Sequence, residues 1–508
     1  MKIGLIHPFY TYDPQKKNRP FPFGVAYIAN FLIQKGHKAE ILDLNTTYLK
    51  KGEIVNLLKS WDCDIFGISS LSGGFAYTKS LASLLKENFD LPIIVGGPLG
   101  THNPEVVLKH TAVDICVVGQ GECTTYEILE NFGRLDKVRG IAYKGKRGEI
   151  TRNPQTGLMP LDNMPWPAYQ IMQMQDYIWD GASPDMDSKR LYKKGLRVMQ
   201  MITGRGCPMG CNFCSKVMDR KTLVRPVDDI IKEIKFLMKE YGINGISFRD
   251  ELYILNRKHA VELSGKLKDL NIIWMGQGRV DRVDSDLIKY MKECGCVSLG
   301  FGIESGSQRM LNLMNKGQTV KQIENAMKIC RKLDMDMKVQ LVLGYPGEDK
   351  ETVRETVQFF KMVGHPGRRF HLITPLPGSV LYNDLVKKGT IKDEAGYLTE
   401  LSKRESGFSK GLPLINLTQF SDEELYKIKL ETETLMERNY RAYLWSHPFE
   451  IYRYLRERLI YKRYLFHPEW LIARLLEKAG LFSNSKKDSQ DKKASRIKHL
   501  DYRLNCKI

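Results

Sequence analysis

Two runs of short apolar segments alternating with amphipathic stretches constrain this chain more than any other feature. The first run, residues 1 to about 135, contains KIGLIH, KAEILDL, DIFGISS, LPIIVGG and ICVVGQG, with GVAYIANFLIQKG and YTKSLASLLKENF between them. Such alternation predicts an α/β domain, a doubly wound Rossmann-like parallel sheet with helices on both faces. The second run begins near residue 193 with RVMQMIT, GISFR, IIWMGQ, CVSLGFGIE, KVQLVLG and FHLITPL, again with amphipathic helices between. Six strand–helix units predict a partial (β/α)6 barrel, a fold whose chemistry sits on the loops after the strands.

A poorer pattern, RGIAYKGKRGEITRNPQTGLMPLDNMPWPAY, separates the two runs. It reads as a short hairpin, GIAYKGKRGEIT, followed by a proline-punctuated connector. The expected organisation is a sheet domain over 1–135, a linker over 136–192, the barrel over 193–399 and a helical basic region over 400–508. A length of 508 residues suits two or three domains. In the last region FSDEELYKI opens a helix with a capping box, Ser421 to Glu424. The final SNSKKDSQDKKASRIKHLD has the composition of a disordered tail. No run of about 18 apolar residues occurs, so no spanning helix is expected. MKIGLIHPFY lacks the long apolar core of a secretion signal and reads as an opening strand. Ten cysteines without such a signal fit a reducing, cytoplasmic setting.

Ligands of doubly wound sheets bind at the carboxyl ends of the strands. Those ends carry Ser69, Ser70, Ser72, Gly73 and Gly74, then Gly96 and Gly97, then Gly119, Gly121 and Glu122. Glycine lets a ligand approach the backbone closely, and it also serves simple tight turns. Repetition at one sheet edge favours the ligand.

After the first barrel segment comes RGCPMGCNFC, which places Cys207, Cys211 and Cys214 on a loop at the catalytic face. Three thiolates suit an iron–sulfur cluster with one iron left open. Gly206, Pro208 and Gly210 add little bulk, so backbone N–H groups can reach cluster sulfurs. Phe213 offers an aromatic wall. The alternative is a zinc site with a distant fourth ligand such as a histidine. Of the other thiols, Cys330 falls on the helical apolar stripe Ile323, Ala326, Met327, Cys330 and reads as core.

The CxxxCxxC motif, with an aromatic residue before the last cysteine, resembles that of radical S-adenosylmethionine (SAM) enzymes. SFRDELYILN, GFGIESGSQRMLNLMNKG, LVLGYPGE and PLPGSVLYNDL are similar to the family's second-, fourth-, fifth- and sixth-strand segments. The resemblance implies that Cys207, Cys211 and Cys214 hold a [4Fe–4S] cluster and that SAM chelates the open iron. One electron would then cleave SAM to a 5′-deoxyadenosyl radical, which takes a hydrogen atom from substrate. It further implies SAM contacts from Phe213, Asp250, Glu251 and Glu304, with Arg279 facing the SAM carboxylate. Strand-end salt bridges are the alternative role for these charged residues.

The sheet domain ahead of the barrel resembles the cobalamin-binding class of that family. HPFYTYDPQKKNRPFPFGVAYIANFLIQKGHKAEILDLN matches its opening, DICVVGQGE its last strand and turn, and LMPLDNMPWPAY its connector. By that likeness Ser69, Ser70, Gly96, Gly97, Gly119, Gly121 and Glu122 contact cobalamin. The DxHxxG motif that gives cobalt a histidine in many cobalamin proteins is absent here, as it often is in this class. The implied reaction is cobalamin-dependent C-methylation of an unactivated carbon. Radical oxidation or cyclisation, as in anaerobic porphyrin cyclases, is the alternative. The implied partners are a small-molecule or lipid substrate and a reductase, flavodoxin or ferredoxin as electron donor.

A formal charge of +19 admits phosphates, anionic lipid or nucleic acid as partners. From residue 439 onward sixteen Lys or Arg face seven Asp or Glu, which locates much of the excess. There Tyr443, Trp445, Tyr452, Tyr454, Tyr461, Tyr464 and Trp470 interleave with Arg453, Arg456, Arg458 and Arg463. That pattern suits peripheral contact with the inner face of a membrane and a lipid or isoprenoid substrate. A helical cap over the barrel is the other reading. An RNA-modifying iron–sulfur protein is a third class, and no recognisable RNA-binding motif supports it.

Overall fold

The computed structural model describes residues 1–451 except 9–18, 48, 156, 163, 182–194, 219, 368–369, 405–410 and 449. Residues 452–508 lie outside it, and with them Tyr452, Tyr454, Tyr461, Tyr464, Trp470, Arg453, Arg456, Arg458 and Arg463.

The first sheet is built from β1 (Lys2–His7), β2 (Lys38–Asp43), β3 (Ile65–Ser69), β4 (Ile93–Gly96), β5 (Ile115–Val117), β6 (Ile141–Lys144) and β7 (Ile150–Arg152). Its order is β2-β1-β3-β4-β5-β6-β7, parallel through β5 and antiparallel beyond. The inner strands are buried along most of their length, as a sheet covered on both faces requires. Ile3, Leu5, Ile65 and Ile94 pack with Val25, Ala29 and Leu32 of the helix Phe23–Gln34. Ile6, Phe66, Ile68 and Val95 pack on the opposite face with Leu58, Leu81 and Leu85. The hairpin expected in the linker is instead the antiparallel edge of this sheet. Its register, Cys116 opposite Ala142, pairs an edge that the parallel strands leave open.

The second sheet adds β8 (Trp179–Asp180), β9 (Arg197–Met201), β12 (Gly245–Phe248), β13 (Ile273–Gly278), β14 (Cys296–Glu304), β15 (Asp336–Leu343) and β16 (Phe370–Leu372). A two-residue ribbon of β10 (Gly204–Arg205) and β11 (Leu223–Val224) stands apart. From β9 through β16 neighbours are parallel and in chain order, with β8 antiparallel at the edge. This is the curled half-barrel expected from the six segments. In β15, Met337, Val339, Leu341 and Leu343 are buried against the helical layer, leaving Asp336, Lys338, Gln340 and Val342 on the other face. Cys330 is buried in the same core.

The helix Asp422–Trp445 begins with the expected reciprocal cap: Glu424 N–H donates to Ser421 Oγ at 3.1 Å and Ser421 N–H to Glu424 Oε2 at 2.8 Å. Leu425 and Met436 bury it on the barrel core. Arg331 donates to Tyr443 Oη at 3.0 Å, so Tyr443 packs on the barrel, while Trp445 is 81% exposed.

Buried polar bonds fasten the connector to the first sheet and to a barrel helix. Tyr177 Oη donates to Asp43 at the end of β2 (2.8 Å), and Tyr169 Oη donates to the buried Glu233 (2.5 Å). Helix Glu394–Lys403 adds Leu398 and Leu401 to the core under the first sheet. No described helix is long and apolar enough to cross a membrane.

Candidate functional site

The carboxyl ends of both sheets face one another across two adjoining cavities. The first, about 300 Å³, takes Ser69, Gly96, Gly97, Gly119, Gly121 and Glu122 from the first sheet. From the barrel side come Gly204, Arg205, Gly206, Arg249 and Glu251. Its floor continues along the sheet face between Leu5, Gly67 and Ile94, an apolar slot. A side chain at Gly67 would meet Leu5 Cδ2 at 2.8 Å, so glycine there keeps the strands packed beside the slot. The second cavity, about 470 Å³, is lined by Cys211, Cys214 and Gly119, among others. Gly119, at φ +96°, borders both and leaves its Cβ direction open.

Of the residues expected at the sheet edge, Ser70, Ser72, Gly73 and Gly74 are in neither lining; Ser70 is the one among them expected to contact cobalamin. It is buried, donates to the Leu71 carbonyl (3.1 Å) and accepts from Thr78 Oγ1 (2.9 Å). Glu122 is already engaged. Arg205 Nη2 donates to its Oε1 at 2.7 Å, and the guanidinium lies 4.8 Å from the Tyr27 ring centre. Both side chains are largely buried, at 18% and 4% exposure. This pair ties the first domain to the residue two before Cys207. Arg205 stands in RGCPMGCNFC, yet nothing local in that stretch names its partner 83 residues away.

The cysteine loop is an excursion closed by the β10–β11 ribbon. Gly206, at φ +83°, sits where a Cβ would lie 2.1 Å from the Lys221 carbonyl, so only glycine fits. The loop is pinned across the mouth of the barrel. Asn212 N–H donates to Met314 O (3.0 Å), and its side chain donates to Leu313 O (3.2 Å). The Asn212 carbonyl accepts from Leu381 N–H (2.9 Å). Asn315 Nδ2 donates to Gly210 O (2.8 Å), and Ser215 Oγ donates to Pro377 O (2.6 Å). The loop after β9 is thus fastened to the segments after β14 and β16. Asn212 was not singled out from sequence, where a polar residue between two cysteines carries no distinguishing pattern.

Cys207 and Cys211 are half-buried and Cys214 is exposed, and none is in a disulfide. Among the described residues no three Cys, His, Asp or Glu side chains converge on the point of a single metal ion. Three reduced thiols on one pinned glycine-rich loop match the donor chemistry of an iron–sulfur cluster.

Asp250 anchors the root of that loop. Its Oδ1 accepts from Thr203 N–H (2.8 Å), Thr203 Oγ1 (3.0 Å) and Gly204 N–H (2.5 Å). Burial raises its carboxyl to about 6 against these bonds, and Oδ2 is buried without a partner among the described residues. Glu251 opens on the first cavity, where burial raises its carboxyl and Lys216 counters. Glu304 closes β14 at φ +66°, a conformation that costs a non-glycine residue about 1 kcal/mol. Its carboxylate is held by Lys316 Nζ at 2.8 Å, both side chains being 8% exposed. Lys316 Nζ also lies 5.9 Å from the Phe213 ring centre, which brings Glu304 toward the cysteine loop. Arg279 is committed elsewhere. It pairs with Asp281 (2.9 Å) and donates to the carbonyls of Lys316 (3.0 Å) and Gly317 (3.3 Å). It therefore braces the Lys316 segment.

Known proteins share both halves. Residues 201–360 match the radical SAM superfamily model, and residues 17–129 match the B12 binding domain model. An uncharacterised methyltransferase of Pyrococcus horikoshii is 28% identical over 417 residues, 80% of this chain and 85% of that protein. Cytidylyl-2-hydroxyethylphosphonate methyltransferase of Streptomyces wedmorensis is 27% identical, covering 77% and 83%. Anaerobic magnesium-protoporphyrin IX monomethyl ester cyclase of Rubrivivax gelatinosus is 26% identical, covering 78% and 72%. In fold the chain is similar to the radical SAM methyltransferase TsrM of Kitasatospora setae, solved with cobalamin and a [4Fe–4S] cluster. That match has a TM-score of 0.61 at 17% identity and covers 76% of this chain and 75% of TsrM.

Proposed function

Because this chain is a radical SAM enzyme with an N-terminal B12-binding domain, we propose that it transfers a methyl group from a corrinoid to a carbon of its substrate. The observation that carries this reading is the pair of adjoining cavities. One wall is the glycine edge of the first sheet, and the other is the cysteine loop of the barrel. A methyl carrier and a hydrogen-abstracting centre must both reach one substrate, and a shared space between two carboxyl edges supports that.

When bound, the [4Fe–4S] cluster with SAM supplies hydrogen-atom abstraction and the corrinoid supplies the methyl group. Cys207, Cys211 and Cys214 would hold the cluster. Ser69, Gly96, Gly97, Gly119 and Gly121 would line the corrinoid face, where small residues admit a bulky ring. The apolar slot beside Gly67 suits a flat aromatic base. Asp250 holds the loop root through three hydrogen bonds, and Lys316 holds Glu304 in place. Arg205 and Glu122 keep the two walls in register. An external reductase, flavodoxin or ferredoxin would deliver the electron. The exposed Trp445 supports an interfacial contact near the start of 439–508, and a lipid or isoprenoid substrate accords with it.

Anaerobic incubation of the reconstituted enzyme with methyl-labelled SAM and candidate substrates tests the reading. Label should enter product alongside 5′-deoxyadenosine. Product without label, with 5′-deoxyadenosine still formed, would replace methylation by oxidation or cyclisation, the reading supported by the relative named as a cyclase.

A further inference from the structure

The second cavity is lined by four cationic side chains, Arg152, Lys216, Arg220 and Lys221, and by no carboxylate among the described residues. Arg152 has a partner, Glu105, at 3.2 Å with both half-exposed. Lys216, Arg220 and Lys221 have no carboxylate partner within 4.0 Å among the described residues. Three cations without a carboxylate partner therefore gather around one space. Arg220 rests against the cysteine loop itself: a Cβ at Gly210 would lie 3.2 Å from its Nη2. His102 lines the same space. Among the described residues its buried Nε2 has no hydrogen-bond partner, and burial pulls its pKa down to about 4, which keeps the ring neutral.

Glu251 and the cysteine loop offset part of the Lys216 charge, but three like charges around one cavity still repel one another, a cost that an occupant of opposite sign removes. Arg220 presents a planar fork suited to phosphate or carboxylate oxygens. The two lysines act as point charges, and the His102 nitrogen supplies one neutral hydrogen-bonding position. On the basis of the methyl-transfer reading above, we propose that the substrate carries a phosphate, phosphonate or carboxylate group, which Lys216, Arg220 and Lys221 hold in this cavity beside Cys211 and Cys214.

The test is isothermal titration of phosphonoacetate, which carries both kinds of anion, into holoenzyme loaded with cluster and corrinoid. Wild type is compared with the Lys216→Gln/Arg220→Gln double variant at equal iron content. The probe should bind wild type and bind the double variant at least tenfold more weakly per cation removed, a factor typical of charged hydrogen bonds. Raised salt should weaken the wild-type binding. If the double variant loses its cluster, Lys221→Gln, seven positions along the chain from Cys214, is measured instead, and a tenfold loss is again expected. Equal binding to wild type and variant, or none to either, overturns the proposal. Two cofactors bring anions of their own, the SAM carboxylate and the corrinoid phosphodiester. SAM and corrinoid affinities should therefore stay within twofold of wild type, and a tenfold fall in either reassigns the cations to that cofactor and overturns the proposal. Formation of 5′-deoxyadenosine by the same preparations reports separately on the radical reading, so the two can fail independently.

Discussion

Consider removing the charge of Glu122 by Glu122→Gln. Its carboxylate meets Arg205 at 2.7 Å across the junction of the two sheets, and the side chains are 4% and 18% exposed. At an effective dielectric near 20, two unit charges about 3 Å apart attract by roughly 5 kcal/mol. Desolvation of both groups returns more than half of that. A net coupling of about 2 kcal/mol remains, above the ~0.2–1 kcal/mol of exposed pairs. The Tyr27 ring 4.8 Å away stays in contact with the guanidinium and is not part of the coupling. A double-mutant cycle of Glu122→Gln and Arg205→Leu, read by denaturant unfolding, isolates it. Iron content and SAM cleavage per cluster are followed in the same four proteins. We expect each single variant to lose stability and the pair to lose about 2 kcal/mol less than the sum. SAM cleavage should fall in Glu122→Gln, because Arg205 sets the start of the cysteine loop. Strict additivity within about 0.5 kcal/mol, with cleavage unchanged, would refute the idea that this ion pair aligns the two walls.

Gly206→Ala should abolish cluster retention while far-ultraviolet dichroism stays native, since a Cβ there collides with the Lys221 carbonyl at 2.1 Å; normal iron content would contradict it. Gly96→Leu should fold, because φ there is −126° and the nearest atom to its Cβ is 3.8 Å away. Its side chain enters the first cavity, so corrinoid retention should drop at least tenfold with iron unchanged, measured by absorbance after gel filtration. Burial raises Glu348 from its ordinary 4.5 to about 7, against the bond it accepts from Gly344 N–H (2.7 Å). The folded state therefore keeps a proton that the unfolded chain releases, and this contribution to stability is lost as pH rises from about 4.5 to about 7. It amounts to at most about 3 kcal/mol; Glu348→Gln should flatten that part of the pH profile, seen as a smaller shift in urea midpoint between pH 5 and pH 7.5.

What was legible in the sequence was what repeats locally. Alternation of period two in segments such as KVQLVLG and near 3.6 in segments such as TVRETVQFFKMVG sets which face of each element is buried. That requires no knowledge of distant residues, and it shows in Asp336–Leu343; the six barrel strands lie side by side in chain order. The three cysteines were equally legible, because their spacing lies within eight residues of loop. Partners were not. The GIAYKGKRGEIT hairpin shows its own turn but not that its strand Ile141–Lys144 would complete the first sheet beside Ile115–Val117. Arg279 looks the same in sequence whether it meets a ligand or Asp281. Glu122 finds Arg205 83 positions away, and Arg152 joins Lys216 and Arg220 around one cavity only after both sheets have packed. Secondary structure follows from short-range backbone and side-chain preferences. The pairing of charges and the shape of the space between two domains depend on long-range packing, and only the tertiary structure decided them.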